Sequence, residues 1–263
     1  MTRTPAPHPA VIWGVPLVAV AILVALLATG SNRAAFLALN RWTMATEGWP
    51  WPYLTVLGDT AVAISLLLPL AVQRPQLARA LAVSAVLATL FVHGLKPQVA
   101  LLRPPAVIPL GSITVLGPPY TTQSFPSGHT TTIFLAASLI WVHFANPWLR
   151  AIALALAVAV GLSRIMVGVH WPIDVAAGAA GGWLSGVLGT WLAARWPAGS
   201  SVEVHRLLIL VGAIFPVALL FGLRTGYPMA WLLTYLIASS SLVALAMALY
   251  FQSQNRPEDN QAP

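Results

Sequence analysis

Three short clusters in the middle of this 263-residue chain contain residue types that bind phosphate and transfer protons. Together they supply three cations, two histidines, one carboxylate and a glycine beside a predicted helix start. Guanidinium and ammonium groups bind phosphate oxygens, and histidine exchanges protons near neutral pH. The combination predicts chemistry on a phosphate group. The clusters are Lys96, Arg103 and Pro104; Pro126, Ser127, Gly128 and His129; and Ser163, Arg164, His170 and Asp174.

The residues around Ser127 predict a helix that begins at this site. Ser127 is a favourable N-cap, so the backbone N–H groups of Gly128 and His129 are expected to point out of the positive helix end. Gly128 lacks a Cβ, which permits close approach of phosphate oxygens. Pro172 fits the first position of another helix and places His170 just before it. We therefore expect two helix N-termini to face one anion.

The two histidines are expected to have different roles in phosphoryl transfer. His170, with Asp174 four residues later, predicts a neutral nucleophile whose other ring nitrogen is held by a carboxylate. His129 is then the group that protonates the departing oxygen and later activates water. Three cations remain to bind the phosphoryl oxygens, namely Lys96, Arg103 and Arg164.

A metal-dependent mechanism is the main alternative chemistry. Hard divalent ions prefer several carboxylate or carbonyl ligands. The only acids expected near the three clusters are Glu47, Asp59 and Asp174. Of these, Asp174 is expected to pair with His170. The sequence therefore predicts no dedicated metal site and no cofactor. The absence of cysteine excludes a disulfide, a thiolate metal site and a cysteine nucleophile.

The composition indicates a membrane protein. Hydrophobic residues make up 58% of the chain and charged residues only 7%, whereas soluble domains carry about a quarter charged residues. The formal net charge is +7, but the 13 cations are scattered between apolar runs. Nucleic-acid-binding proteins cluster their cations on one stripe, so we expect no nucleic-acid partner.

Uncharged runs separated by Pro, Gly and Arg predict an all-α, polytopic transmembrane bundle. The first run is long enough to span a bilayer, which favours an uncleaved span over a cleaved signal peptide. The predicted helices are 11–29, 53–72, 77–95, 128–146, 149–168, 173–194, 207–223 and 228–251.

The connecting segments have their own patterns. Residues 32–52 combine Trp and Tyr with charged residues, which is typical of headgroup depth. Residues 103–125 contain five prolines and are predicted to form a surface loop. The predicted organisation is a six-helix phosphatase core over 1–196, two additional helices over 197–251 and a disordered cytoplasmic tail over 252–263.

The span count places all three clusters at one membrane face. Two predicted helices lead from His129 across the membrane and back to Arg164, and the first two clusters share a loop. With a cytoplasmic N-terminus this is the outer face, and seven arginines lie inside against six cations outside. Ionisable groups that converge at span ends indicate a functional site.

For several other residues the sequence gives a less specific indication of function. Asp59 is expected either to pair with a cation of the site or to cap a helix, and His93 is expected to lie at the interface. Gly178, Gly182 and Gly186 recur at four-residue spacing, which favours close helix packing within the chain over a dimer seam.

Taken together, the three clusters resemble the signature of the type 2 phosphatidic acid phosphatase (PAP2) superfamily of integral membrane lipid phosphatases. That signature is Lys-x6-Arg-Pro, Pro-Ser-Gly-His and Ser-Arg-x5-His-x3-Asp, and all eleven positions are present. The resemblance implies a six-helix core and metal-independent chemistry. It implies a phosphohistidine on His170, oriented by Asp174, with His129 as the acid. The phosphoryl-binding residues that it implies are Lys96, Arg103, Ser127, Gly128 and Arg164.

The leading hypothesis is a lipid phosphatase of the bacterial inner membrane with a periplasmic active site, and its partners are a phosphorylated lipid and membrane lipids. Undecaprenyl pyrophosphate is favoured as the substrate because of the breadth of the family. The alternatives are phosphatidylglycerol phosphate, phosphatidic acid, lipid A, or phosphoryl transfer to another lipid. A transporter or flippase is the alternative of another class, although transporter sites usually lie at the midplane. Soluble vanadium haloperoxidases share similar motifs, but the span count argues against that branch. The sequence does not specify an oligomeric state.

Overall fold

The computed structural model describes residues 9–254, which form twelve α-helices, three short 3₁₀ turns and no β-strand. The helices are α1 (Pro9–Ala28), α2 (Asn32–Asn40), α3 (Trp42–Ala45), α4 (Trp51–Val56), α5 (Thr60–Gln73), α6 (Pro75–Val99), α7 (Pro104–Val107), α8 (Gly128–His143), α9 (Pro147–Met166), α10 (Pro172–Ala194), α11 (Val202–Phe221) and α12 (Trp231–Gln254). The 3₁₀ turns are Leu110–Ser112, Ala198–Ser200 and Pro228–Ala230.

One predicted helix is broken in the structure. The prediction of a continuous helix over 53–72 is wrong, because the chain leaves the helical conformation between α4 and α5. Asp59 has extended backbone angles, and its Oδ1 accepts a hydrogen bond from the Ala61 N–H at 2.9 Å. The aspartate is thus the N-cap of α5, one of its two expected roles.

The connecting segments largely follow their predictions. Residues 103–125 contain only the four-residue α7 and one 3₁₀ turn, so the prolines do exclude a continuous helix. Residues 32–52 are more ordered than an interfacial loop and include α2 and α3. The predicted tail begins too early, since α12 continues to Gln254. Residues 255–263 of that tail lie outside the described part of the chain.

The bundle has the dimensions of a membrane protein. Five helical segments of the described chain are long and apolar enough to cross a membrane, and the number is six if a helix pair bent by 109° at residues 29–31 crosses as one span. α5, with 14 residues, and α8, with 16, are shorter than a full span. The protein is therefore an all-α, polytopic transmembrane bundle. The five segments are Pro75–Val107, Pro147–Met166, Pro172–Ala194, Val202–Phe221 and Pro228–Phe251.

The central element is α10, which packs against α1, α6 and α8. A Cβ on Gly178 would lie 2.7 Å from the Ser127 carbonyl oxygen, and one on Gly182 would overlap the Thr131 backbone of α8. Gly189 similarly faces Ser84 of α6. The four-residue glycine spacing thus serves packing within the chain, as expected.

The two C-terminal helices pack against α5 and against each other. A buried apolar cluster joins Ala61 and Val62 of α5 to Leu219 of α11 and Ala238 of α12. Because α11 ends and α12 begins on the side where α5 begins, their connection lies near the residues of the three clusters.

The close contact between α8 and α10 generates a stability prediction. Gly182→Ala forces a methyl group into the α8 backbone, and overpacking of this kind costs about 1–3 kcal/mol. We expect the apparent melting temperature in detergent to fall by roughly 5 °C. Gly14→Ala is the matched control, because a Cβ on Gly14 of α1 meets no atom within 4 Å. An equal effect of the two substitutions would contradict the packing assignment.

Candidate active site

A buried histidine–carboxylate pair lies at the centre of the site. The Nδ1 atom of His170 lies 3.2 Å from Oδ2 of Asp174, and the two residues are 2% and 0% exposed. His170 is in the short connection between α9 and α10, and Asp174 is in the first turn of α10. The predicted four-residue pairing is therefore present.

Asp174 holds three groups from two segments through one oxygen atom. Besides His170, its Oδ2 accepts the backbone N–H of Trp171 at 2.7 Å and the hydroxyl of Ser124 at 2.5 Å. Its Oδ1 is buried and has no hydrogen-bond partner within residues 9–254. The contribution of Ser124 was not expected from the sequence, because a serine 50 residues from Asp174 gives no signal of contact.

The hydrogen bonds of His170 define its neutral form. Its Nε2 lies 3.1 Å from Nη1 of Arg103, and because a guanidinium only donates, Nε2 must be the acceptor. Nδ1 then carries the ring proton and faces Asp174. Burial lowers the pKa of His170 well below its usual range, and the charges of Arg103 and Arg164 lower it further. The ring is thus neutral and its lone pair is on Nε2, the form required of a nucleophile.

Arg103 connects the loop before α8 to His170. The side chain is only 8% exposed. Its Nε donates to the Thr122 carbonyl at 2.8 Å, and its Nη1 donates to the Val169 carbonyl at 3.1 Å. The predicted phosphate-binding arginine is therefore fixed in place and lies against the nitrogen that would attack phosphorus.

Arg164, near the end of α9, is held by neutral groups. Its Nη1 donates to the hydroxyls of Thr55 and Tyr227. The guanidinium is 2% exposed, and its Nε has no hydrogen-bond partner among the described residues. Since hydroxyl acceptors do not neutralise it, the positive charge stays available to an anion. Neither partner was expected, because both are more than 60 residues away in sequence.

The start of α8 presents unpaired backbone donors. Ser127 is the N-cap, as predicted, and its Oγ accepts from the Thr130 N–H at 3.4 Å and the Thr130 hydroxyl at 2.9 Å. Neither Gly128 N–H nor His129 N–H has an acceptor among residues 9–254. Two donors at the positive end of a helix form an anion-binding arrangement.

A cavity of about 370 Å³ opens beside Gly128 and His129. Its walls are mainly apolar residues of α5, α6 and α8, with Phe215 from α11. The Nε2 atom of His129 is buried, and no hydrogen-bond partner for it is found in the described part of the chain. A Cβ on Gly128 would be 3.9 Å from its nearest neighbour, Val92, so protein packing does not require glycine here. The space above Gly128 is open for a ligand.

Lys96 completes the set of cations. It is half-buried in the last turn of α6 and has no hydrogen bond or ion pair within the described part of the chain. The charges of Lys96, Arg103 and Arg164 all act on both His129 and His170. All eight predicted site residues are therefore at the same end of the bundle.

The second helix start differs from its prediction. The N–H of Ile173 donates to Oδ1 of Asn32, and those of Asp174 and Val175 donate to the Trp171 carbonyl. The first-turn donors of α10 are thus satisfied by the protein itself. The expectation of two helix N-termini facing one anion is wrong, because of these two helices α8 alone has backbone donors without an acceptor among the described residues.

Three further ionisable residues have other positions. Asp59 lines the cavity with His129, and burial raises its pKa. His93 is exposed and lines the same cavity. His143 is at the opposite end of α8. Across residues 9–254, no group of three His, Cys, Asp or Glu side chains is arranged to hold a metal ion.

Asn40 of α2 fastens the loop before α8 to the end of α9. Its Nδ2 donates to the carbonyls of Thr114, Ile165 and Met166 at 2.9–3.2 Å, and its Oδ1 accepts from the Thr114 N–H. Because Asn40 is 2% exposed, these bonds are protected from water. They support the segment that carries Arg164.

Comparison with known families supports the motif assignment. A family model described as the PAP2 superfamily matches residues 77–198, which include all three clusters. The chain is 30% identical over 166 residues to an undecaprenyl-diphosphatase of Sulfolobus acidocaldarius, and the match covers 62% of this chain and 75% of that protein.

A more similar but shorter match is to the bacitracin transport permease protein BcrC of Bacillus licheniformis. It is 49% identical over 89 residues and covers 34% of this chain and 40% of that protein. The chain spans 16% to 40% of the length of the curated relatives that it matches at 42% identity or more.

The fold is also similar to a solved structure. The crystal structure of Aquifex aeolicus LpxE superposes with a TM-score of 0.54 and 28% sequence identity. The match covers 63% of this chain and 95% of the LpxE chain.

The buried bonds of Asn40 generate a second stability prediction. Asn40→Ala leaves the Thr114 N–H and carbonyl without their partner, at a cost of about 1–3 kcal/mol each. The control is Asn146→Ala at the exposed N-cap of α9, where the loss is about 1 kcal/mol. We expect the larger fall in apparent melting temperature, and faster hydrogen exchange of the Thr114 amide, in Asn40→Ala. Equal melting temperatures would contradict the anchoring role.

Proposed function

The chain belongs to the PAP2 superfamily, and we propose that it is an integral membrane lipid phosphatase that works through a phosphohistidine intermediate. The main support for this proposal is the neutral His170 ring, whose Nδ1 faces Asp174 and whose Nε2 lies at the edge of a cluster of three cations. A nucleophile of this form beside unpaired anion-binding donors suits phosphoryl transfer.

In the first step, His170 Nε2 attacks the terminal phosphorus of the lipid. A nitrogen–phosphorus bond forms, the bond from phosphorus to the lipid oxygen breaks, and His129, which must be protonated once the negatively charged phosphate is bound, donates its proton to that oxygen. Asp174 keeps the Nδ1 proton in place and stabilises the positive charge that develops on the ring. Arg103 must transfer its hydrogen bond from Nε2 to a phosphoryl oxygen as phosphorus approaches.

In the second step, water attacks the phosphohistidine. His129 accepts a proton from the water, the nitrogen–phosphorus bond breaks, and inorganic phosphate leaves while His170 regains its lone pair. The same histidine therefore acts first as an acid and then as a base. Both residues return to their starting states.

The equatorial oxygens require positive partners in both steps. The Gly128 and His129 N–H groups at the start of α8 are available for this purpose, as are Lys96 and the free edge of Arg164. Ser127 supports them by capping α8. We assign no metal to the reaction and expect activity in the presence of a chelator.

We propose undecaprenyl pyrophosphate as the substrate. The Sulfolobus relative named for that activity has the longest sequence alignment reported above, and the largely apolar cavity beside His129 suits the start of a hydrocarbon tail. Phosphatidylglycerol phosphate, phosphatidic acid and lipid A are the alternatives, as is phosphoryl transfer to another lipid.

The site is proposed to face the periplasm of a bacterial inner membrane. When Arg103 and Arg164 of the site are left out, five of the other eight arginines within residues 9–254 lie at the opposite end of the bundle, where Arg74 donates to the His143 carbonyl at the end of α8 and Arg150 to the Phe144 carbonyl. Cytoplasmic ends are enriched in such cations. The arginines at that end are Arg74, Arg79, Arg150, Arg195 and Arg206.

Phosphate release by the full-length protein in detergent, with chelator present, tests the proposal directly. We expect His170→Ala to lower kcat/KM by about 10³-fold or more, because the nucleophile is lost. His143→Gln, at the other end of α8, is the control and should retain activity. Undiminished hydrolysis by His170→Ala would exclude the mechanism. Turnover of the four lipids side by side identifies the substrate, and product masses separate hydrolysis from transfer.

Trapping of the intermediate distinguishes the roles of the two histidines. With a pyrophosphate lipid labelled at its terminal phosphate, His129→Gln should slow attack by water more than formation of the intermediate, since the leaving group is already acidic. We expect an acid-labile label to accumulate on His170 in this variant and to be absent from His170→Ala. A label on another residue would refute the assignment. Flux of intact lipid into liposomes without hydrolysis would favour the transporter alternative.

A further inference from the structure

The connection between α11 and α12 contributes a residue to the candidate active site. Tyr227 lies in this connection, is 3% exposed, and accepts a hydrogen bond from Nη1 of Arg164 at 3.1 Å. We propose that Tyr227 is a positioning residue that orients Arg164 toward the phosphoryl group, an inference that rests on the proposed function of this site.

The contacts of Arg164 show which edge of its guanidinium is left for substrate. Nη1 is occupied by two hydroxyls, those of Thr55 and Tyr227. Nε, which is buried, has no partner among the described residues. In a planar guanidinium, Nε and Nη2 form the side edge that binds two oxygens of one anion. Holding Nη1 therefore orients the edge that can grip phosphate.

The chemistry of the two partners suits a binding arginine. An aspartate or glutamate at either position would form an ion pair with Arg164 and compete with the substrate. Hydroxyl oxygens accept a hydrogen bond without adding charge. The arrangement thus fixes the side chain without placing an ion-paired acid at either of these two positions. A pre-oriented arginine also loses less side-chain entropy when the anion binds.

The position of the Tyr227 hydroxyl is determined by dense packing. The ring belongs to a buried cluster with Val56, Val167 and Val169. It also covers Gly117 of the loop before α8, where a Cβ would lie 2.7 Å from the ring. Gly117 has a φ of +82°, which favours glycine as well. Tyr227 is therefore packed between the loop before α8 and the end of α9.

Both partners of Arg164 lie outside residues 77–198, the segment matched by the family model. Thr55 belongs to α4, and Tyr227 is placed by α11 and α12, whose apolar faces pack on α5. The C-terminal helix pair thus has a defined task at the site, which is to hold one arginine of the signature.

Tyr227→Phe in the full-length protein removes the hydroxyl and keeps the ring. The readouts are the dissociation constant of inorganic phosphate, measured by calorimetry in detergent, and KM and kcat for the lipid substrate. Tyr235→Phe is the matched control, because the Tyr235 hydroxyl accepts a hydrogen bond from Arg224 at an exposed position away from Arg164. Arg164→Ala and the double variant Arg164→Ala/Tyr227→Phe complete a double-mutant cycle, which measures the coupling between the two side chains.

We expect Tyr227→Phe to raise the phosphate dissociation constant by about 5- to 10-fold, the loss typical of one hydrogen bond. KM should rise in parallel, and Tyr235→Phe should match the wild type. In the Arg164→Ala background, Tyr227→Phe should have no further effect, since the tyrosine acts through the arginine. A purely structural role would instead lower the melting temperature and leave the phosphate dissociation constant unchanged.

The outcomes separate this inference from the proposed function. If the wild type hydrolyses the lipid and Tyr227→Phe binds phosphate as tightly as the wild type, the positioning role is wrong and the phosphatase assignment stands. Equal losses in the wild-type and Arg164→Ala backgrounds also overturn it. If phosphate binding depends on Tyr227 through Arg164 but no lipid phosphate is hydrolysed, the positioning role stands and the proposed function fails.

Discussion

A buried carboxylate organises the site. Oδ2 of Asp174 accepts hydrogen bonds from the His170 ring, the Trp171 backbone and the Ser124 hydroxyl. These bonds fix the orientation of the histidine, begin α10 and hold the end of the loop before α8. The backbone carbonyl of the same residue accepts the N–H of Ser127, so the start of α8 is tied to the start of α10. Loss of this one side chain would therefore release the His170 ring, the start of α10 and the end of the loop before α8 together.

The excess positive charge of the site follows from how few acidic residues are present. Three cations act on the buried His170 and the half-buried His129, and within residues 9–254 Asp174 is the only carboxylate that is hydrogen-bonded to either ring. The partners of Arg103 and Arg164 are carbonyls, hydroxyls and a neutral ring nitrogen, which stabilise the side chains without cancelling their charge. Because buried charge is costly without a counterion, the cluster gains most when a phosphate supplies the missing negative charge. The same excess charge, added to burial, lowers the pKa of His170.

The position of the site at one end of an apolar bundle suits a substrate that is part lipid and part phosphate. The unpaired donors at the start of α8 lie beside a cavity that runs between α5, α6 and α8. The close approach of α8 to α10, which the glycines permit, sets where those donors lie. The C-terminal helices cover α5, supply Phe215 to the cavity wall and deliver Tyr227 to Arg164. Packing in the membrane and geometry at the site are therefore coupled.

The features that depend on local residue order could be predicted from the sequence alone. The cap at Ser127, the four-residue pairing of His170 with Asp174 and the course of most helices follow from periodicity and short-range hydrogen bonding. The break at Asp59 was missed because the apolar run continues past it, and the occupied start of α10 was missed because its partner, Asn32, is 141 residues away. That Ser124 and Tyr227 reach the site is visible only in the folded structure. Contacts between distant segments depend on how whole helices pack, and a single sequence carries no spacing rule for them.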